Sequence, residues 1–146
     1  MSDAARNIEL VERLERAYND RDYDVVRASL AADFIPHTAG SENLPPGVEG
    51  AIAANEGSFA GMSDRRTEIL EIFGDGDKVV SHVRLRGTND GGIAFAGVPA
   101  NGKSVDFDWI QISRHGDDGA IVETWSQMDL PKFMVQIGAM PAPEGM

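Results

Sequence analysis

The order of the predicted elements constrains the fold of this chain more than any other feature. Helical patterns come first, and strand patterns separated by short Gly- and Asp-rich turns follow them. Residues 4–19 carry apolar side chains at three- and four-residue spacing, which is typical of an amphipathic helix. Asp22 is the expected cap of a second, short helix that holds Val25, Val26 and Leu30. A third helix is predicted over residues 48–60.

The second half of the chain has the pattern of an antiparallel meander. Strands are predicted over 67–73, 78–87, 105–114 and 120–129, with turns at 74–77 and 115–119. Further expected elements are an extended segment over 33–37, a short strand over 93–96, a loop over 98–103 and a closing helix over 130–138. Pro36 places the first extended segment at a sheet edge. The expected fold class is α+β, with 1–146 forming one domain in which helices pack on one face of a curved antiparallel sheet.

The charge and composition of the chain disfavour some classes of binding partner. The net charge is -11, and so acidic a surface repels phosphate backbones and anionic lipid, which disfavours nucleic-acid and membrane roles. The chain has no cysteine, which excludes disulfides and a thiol nucleophile and suits a cytoplasmic location. No apolar run approaches the length of a membrane span, and the N-terminus lacks the features of a signal peptide.

Four stretches occur in an order and at a spacing typical of one family. They are Tyr18–Tyr23, Leu30–His37, Gly97–Lys103 and the hairpin Ile112–Trp125. Together they resemble the SnoaL-like polyketide cyclases, a branch of the superfamily named for nuclear transport factor two. The resemblance implies a cone-shaped α+β barrel that encloses one pocket for a small apolar molecule. It also implies a homodimer that pairs through the outer face of the sheet.

His37 and Gln111 are the candidate catalytic residues. A histidine at the end of the first strand suits proton transfer near neutral pH, and the resemblance sets His37 where related ketosteroid isomerases place their aspartate base. The alternative is a strand-end histidine that only bonds a backbone carbonyl. The same resemblance sets Gln111 at the oxyanion-donor position, where its amide polarises a carbonyl. Asp108 is the rival carboxylate if the opposite face of its strand points inward.

Six side chains are expected to contact the substrate. Two of them depart from the family pattern: Ser126 replaces the cyclases' general acid/base aspartate, and Leu14 replaces the isomerases' tyrosine. Trp109 would supply a flat apolar wall, or else belong to the core with Gln111 merely supporting the site. The full set is Leu14, Tyr18, Phe59, Trp109, Ser126 and Met128.

Two classes of function follow from these observations. One is a cyclase, isomerase or lyase that acts on an apolar carbonyl compound, such as a polyketide, by general acid–base catalysis without a cofactor. The other is a non-catalytic binding or interaction module of the same fold. The three histidines lack metal-ligand spacing, and no Gly-rich phosphate loop opens a helix, so we expect neither a metal nor a nucleotide.

Overall fold

Helices and strands of this protein follow the predicted order. The computed structural model describes residues 3–144, and the remaining positions of the predicted domain lie outside that range. The helices are α1 (Asp3–Asp20), α2 (Tyr23–Ser29), α3 (Val48–Gly61) and α4 (Leu130–Gln136). The strands are β1 (Leu30–His37), β2 (Arg66–Asp75), β3 (Lys78–Thr88), β4 (Ser104–His115) and β5 (Ile121–Met128). The predicted α+β class is confirmed.

Helix α2 begins as predicted but ends earlier. The Asp22 side chain accepts a hydrogen bond from the backbone N–H of Val25, which satisfies one of the free donors of the first turn. The prediction that Leu30 belongs to this helix is wrong. Leu30 has an extended backbone and is the first residue of β1, so its buried side chain packs from a strand.

The sheet is antiparallel except at one edge. Its strand order is β1-β5-β4-β3-β2, and β1 pairs with β5 in parallel. The predicted antiparallel sheet is therefore confirmed for the other three strand pairs, and β1 with β5 is the exception. Hairpin turns join β2 to β3 and β4 to β5 and force opposite directions, whereas β1 is separated from β5 by α3 and three strands. The edge position expected from Pro36 is confirmed, because β1 is the outermost strand in the sheet order of residues 3–144.

Two short turns can be compared with the sequence-based prediction. Gly76 takes a positive φ of 60° in the tight turn between β2 and β3, as a hairpin of this length requires. The predicted strand over 93–96 is wrong, because residues Ala94–Ala96 form a 3₁₀ turn. Gly97, with φ of 66°, ends that turn and sends the chain back, so that Ile93 makes an isolated bridge with Val98.

Two apolar clusters hold the helices to the sheet. One joins α1 and α2 to β1, β3 and β5; it comprises Leu10, Val11, Leu14, Ala17, Val26, Leu30, Phe34, Val79 and Ile121. The other joins β3 and β4 to α4 and neighbouring loops; it comprises Met62, Leu85, Ile93, Val105, Phe107, Phe133 and Ile137. Members of both clusters line one cavity. No helix within 3–144 has the length and apolar character needed to cross a membrane.

Candidate functional site

A cavity of about 790 Å³ lies between the helices and one face of the sheet. This volume suits a drug-sized ligand. Its wall is largely apolar, with contributions from α1, α3, β1, β4, β5 and the loop after β1. Polar side chains occur on the wall in small groups. In ligand pockets, a few polar groups of this kind fix the orientation of the bound ligand.

Alternation along β4 and β5 decides which side chains reach the cavity. Phe107, Trp109 and Gln111 line it from β4, and Thr124, Ser126 and Met128 line it from β5. Asp108 lies on the other face of β4, where it hydrogen-bonds His82 across the strand pair. That hydrogen bond lowers the pKa of the Asp108 carboxyl, although burial opposes the change. Asp108 therefore belongs to the outer face and not to the cavity wall.

Gln111 and Ser126 form a hydrogen-bonded pair inside the cavity. They face each other directly across β4 and β5, and the Ser126 hydroxyl donates to Gln111 Oε1 over 3.1 Å. The amide nitrogen of Gln111 makes no hydrogen bond within the described residues. The pair thus presents an unused N–H donor in an apolar setting, where such a donor polarises a carbonyl strongly.

His37 lies at the cavity rim, but its ring contacts the outer face of the sheet. The ring stacks on Trp125, with centroids 5.3 Å apart, and Nε2 lies 2.6 Å from Glu123 Oε2. Arg114 donates to the other Glu123 oxygen at 3.0 Å. These contacts lower the pKa of Glu123, the bond from His37 most and that from Arg114 second. Nδ1 of His37 makes no hydrogen bond within residues 3–144.

A polar floor that the sequence analysis missed is formed by Glu15, Asn55 and Arg65. Arg65 is 8% exposed, and its Nη1 donates to Asn55 Oδ1 over 2.6 Å. Glu15 accepts a hydrogen bond from the Thr67 hydroxyl at 2.7 Å. Burial raises the pKa of the Glu15 carboxyl, with the Thr67 hydrogen bond and the Arg65 charge opposing that rise. All three floor residues line the cavity.

Two further predicted contact residues lie beside this floor. Leu14 and Tyr18 both line the cavity from α1, one turn apart. Burial, followed by the nearby Glu15 and Tyr23, raises the pKa of the Tyr18 phenol, so it stays protonated at neutral pH. Tyr18 is therefore a neutral donor at the wall, whereas Leu14 supplies only apolar surface.

Phe59 is the one predicted contact residue that does not line the cavity. It lies under two guanidinium groups, with Arg21 at 5.0 Å and Arg65 at 5.1 Å from the ring centroid. Its attraction for these cations comes from the negative face of the ring. Phe59 therefore supports the floor through Arg65 and does not contribute to the cavity wall.

Glu15 could have been found from the sequence, and Arg65 could not. Glu15 stands four residues after Val11 and three before Tyr18, so it shares their helix face. Arg65 precedes β2 in a turn, where no periodicity indicates the direction of a side chain. Within 3–144, no three His, Asp or Glu side chains form a group that could hold a metal ion.

A family model and several solved structures match this chain over most of its length. The family model of the SnoaL-like polyketide cyclases matches residues 8–137. A search of the curated proteins returned no match. Among solved structures, TsrD from Streptomyces laurentii is similar with a TM-score of 0.82 at 26% identity, covering 93% of this chain and 97% of its own.

Two other solved structures reach 30% identity. A proposed SnoaL-like polyketide cyclase from Jannaschia sp. CCS1 has a TM-score of 0.79, with 97% of each chain covered. IdmH from Streptomyces antibioticus, a proposed polyketide cyclase, has a TM-score of 0.75 and covers 90% of this chain and 98% of its own. These likenesses extend over almost the whole chain in each comparison.

Proposed function

The chain belongs to the SnoaL-like polyketide cyclase family, and from that premise we propose an enzyme that acts on an apolar carbonyl compound, such as a polyketide, without a cofactor. The reaction is isomerisation, aldol-type ring closure or loss of water, each beginning with proton removal next to a carbonyl. The observation that carries this proposal is the unused Gln111 amide donor inside an apolar cavity.

Gln111 is assigned the binding of the substrate's carbonyl group. Its amide N–H groups donate to the carbonyl oxygen, and the bond strengthens as that oxygen gains negative charge in the enolate. Such a donor stabilises a transition state by about 3 kcal/mol where water is excluded. Trp109 and Met128 hold the apolar part of the substrate beside it. Tyr18 offers a second neutral donor, and Leu14 completes the apolar surface.

His37 is assigned the removal of the proton from the substrate carbon next to the carbonyl. With Nε2–H donating to the Glu123 carboxylate, Nδ1 is left as the acceptor, and the carboxylate stabilises the imidazolium that forms. One strand, β5, separates β1 from β4, so the backbones of His37 and Gln111 are about 10 Å apart. The His37 ring and the Gln111 amide lie on opposite faces of the sheet, so a bicyclic substrate spans that distance only after the imidazole leaves Trp125 and turns Nδ1 toward the rim. The proton goes from the substrate carbon to Nδ1 and returns to the same or another carbon.

Deuterium exchange tests this proposal without the natural substrate. In D₂O, loss of the C1 hydrogens of 2-tetralone, an aromatic bicyclic ketone, is followed by proton NMR with the wild type, His37→Ala and Gln111→Met. We expect the wild type to exceed an equal concentration of free imidazole, and both variants to lose most of that excess. Equal rates for all three proteins and imidazole would overturn the catalytic assignment.

The second candidate is a binding module that returns its ligand unchanged. The observation that favours it is the His37 ring, which Trp125 and Glu123 hold at the outer face. Ser126 also stands where the family resemblance expects an aspartate. Ketone binding without faster exchange would establish this second function.

We also propose a homodimer formed through the outer face of the sheet. Large apolar side chains exposed there include Ile35, Phe73, Ile110 and Ile112. Exposed apolar surface of this kind often marks an interface. Sedimentation velocity should give a dimer for the wild type and a monomer for Ile110→Glu; a wild-type monomer would contradict the proposal.

A further inference from the structure

The guanidinium of Arg65 is a buried cation with unused donors. Its one hydrogen bond within the described residues goes to the neutral amide of Asn55. Nε is buried without any acceptor, and Nη2 has none either. Buried charges in proteins are normally paired and hydrogen-bonded, because an unpaired buried charge is strongly destabilising. Arg65 departs from that rule at the wall of the cavity.

No carboxylate of the described residues completes this group. Glu15 acts on Arg65 electrostatically, but its side chain is hydrogen-bonded to Thr67 and forms no ion pair with the guanidinium. Burial also raises the pKa of the Glu15 carboxyl, against the Thr67 hydrogen bond and the Arg65 charge. Nε has no exposed surface, so the donor that stays open to a ligand oxygen is Nη2, on a guanidinium whose planar shape suits a carboxylate.

We propose that Arg65 anchors a carboxylate of the ligand at the floor of the cavity, so that the ligand class is an apolar molecule with a carboxylate at one end. This inference rests on the proposed function, because it assigns a second end to the same substrate. The carbonyl at Gln111 and the carboxylate at Arg65 would then fix the molecule at two points. The chain as a whole carries a net charge of -11, which repels anions, so a carboxylate ligand needs a cation inside the cavity to hold it.

A matched pair of probes separates the anchor from the apolar cavity. 2-Naphthoate and 2-acetonaphthone share one ring system and differ in carrying a carboxylate or a neutral methyl ketone. We expect the wild type to bind 2-naphthoate about tenfold more tightly in fluorescence titrations. Arg65→Gln should remove that preference and leave the affinity for 2-acetonaphthone within about threefold. Arg66→Gln is the control, because Arg66 is the exposed neighbour of Arg65 and does not line this cavity.

The outcomes distinguish this inference from the proposed function. Equal or tighter binding of the ketone by the wild type would overturn the anchor and leave the ketone-binding cavity intact. Binding of neither probe would count against both. If Arg65→Gln does not fold, the wild-type preference for 2-naphthoate still decides between the two outcomes. Arg65→Lys, which keeps the charge but loses the planar guanidinium, should give an intermediate preference. A shift of the Arg65 Nε–H resonance on adding 2-naphthoate, but not 2-acetonaphthone, would support the anchor directly.

Discussion

The hydroxyl of Ser126 donates a hydrogen bond to Oε1 of Gln111 across two neighbouring strands. An unrestrained glutamine amide can rotate to present either its oxygen or its nitrogen to a ligand. The serine occupies the oxygen, so the nitrogen is the end that remains for the cavity. A ligand that accepts hydrogen bonds is therefore preferred at this position over one that donates them.

Replacing Gln111 should weaken ketone binding. Gln111→Met keeps the approximate size of the side chain but removes the amide donor, and we expect about a fivefold loss of affinity for 2-acetonaphthone. Ser126→Ala is the matched control, since it removes the serine bond but keeps the amide and should cost less than Gln111→Met. Fluorescence titration measures both, and an unchanged affinity in Gln111→Met would contradict the assignment of the donor.

The Glu123 carboxyl should titrate higher when His37 is removed. His37 and Arg114 both lower the pKa of Glu123, with His37 the larger cause. We expect His37→Ala to raise that pKa toward the ordinary glutamate value and Arg114→Gln to raise it less. Carboxyl-detected NMR titration reads the change directly. A larger effect from Arg114→Gln would show that the histidine is not the principal partner.

The ionisation of Glu15 should lower the stability of the folded protein as the pH rises. Its folded-state pKa is raised, so the folded state binds this proton more tightly than the unfolded chain does. The associated stability is fully present below the ordinary pKa of 4.5 and is lost as pH rises through the folded-state value. Glu15→Gln should therefore gain thermal stability relative to the wild type as pH increases from 4.5. Glu9→Gln, at an exposed position of α1, should show no such trend in thermal melts.

Two glycines of helix α3 should respond oppositely to alanine. A Cβ on Gly50 would lie 2.0 Å from the backbone oxygen of Pro45, which cannot move without displacing the loop at the cavity. We expect Gly50→Ala to cost about 2 kcal/mol or more in urea denaturation. Gly57 has open space at the same position, so Gly57→Ala should stabilise the helix by about 0.5–1 kcal/mol. A stable Gly50→Ala variant would show that the loop yields.

The spacing of residues along the sequence predicted most helices, strands and turns, because each of them is determined by residues close together in the chain. The helix face of Leu10 and Leu14 and the tight turn at Gly76 are examples of such local signals. The parallel pairing of β1 with β5 was not predictable, because no hairpin sets its direction. The unused donors of Arg65 depend on which distant side chains surround it, and no spacing in the sequence reports that.

The contact between Leu30 and Ile121 also bears on how the protein reaches its native state. Pairing strands so far apart in sequence requires closing a long loop, and the entropy of that closure must be lost before any contact compensates for it. During synthesis, β1 leaves the ribosome long before its partner exists. The cavity wall therefore closes only when nearly the whole chain is available, and shorter nascent chains expose the edge of β1 to chaperones or to aggregation.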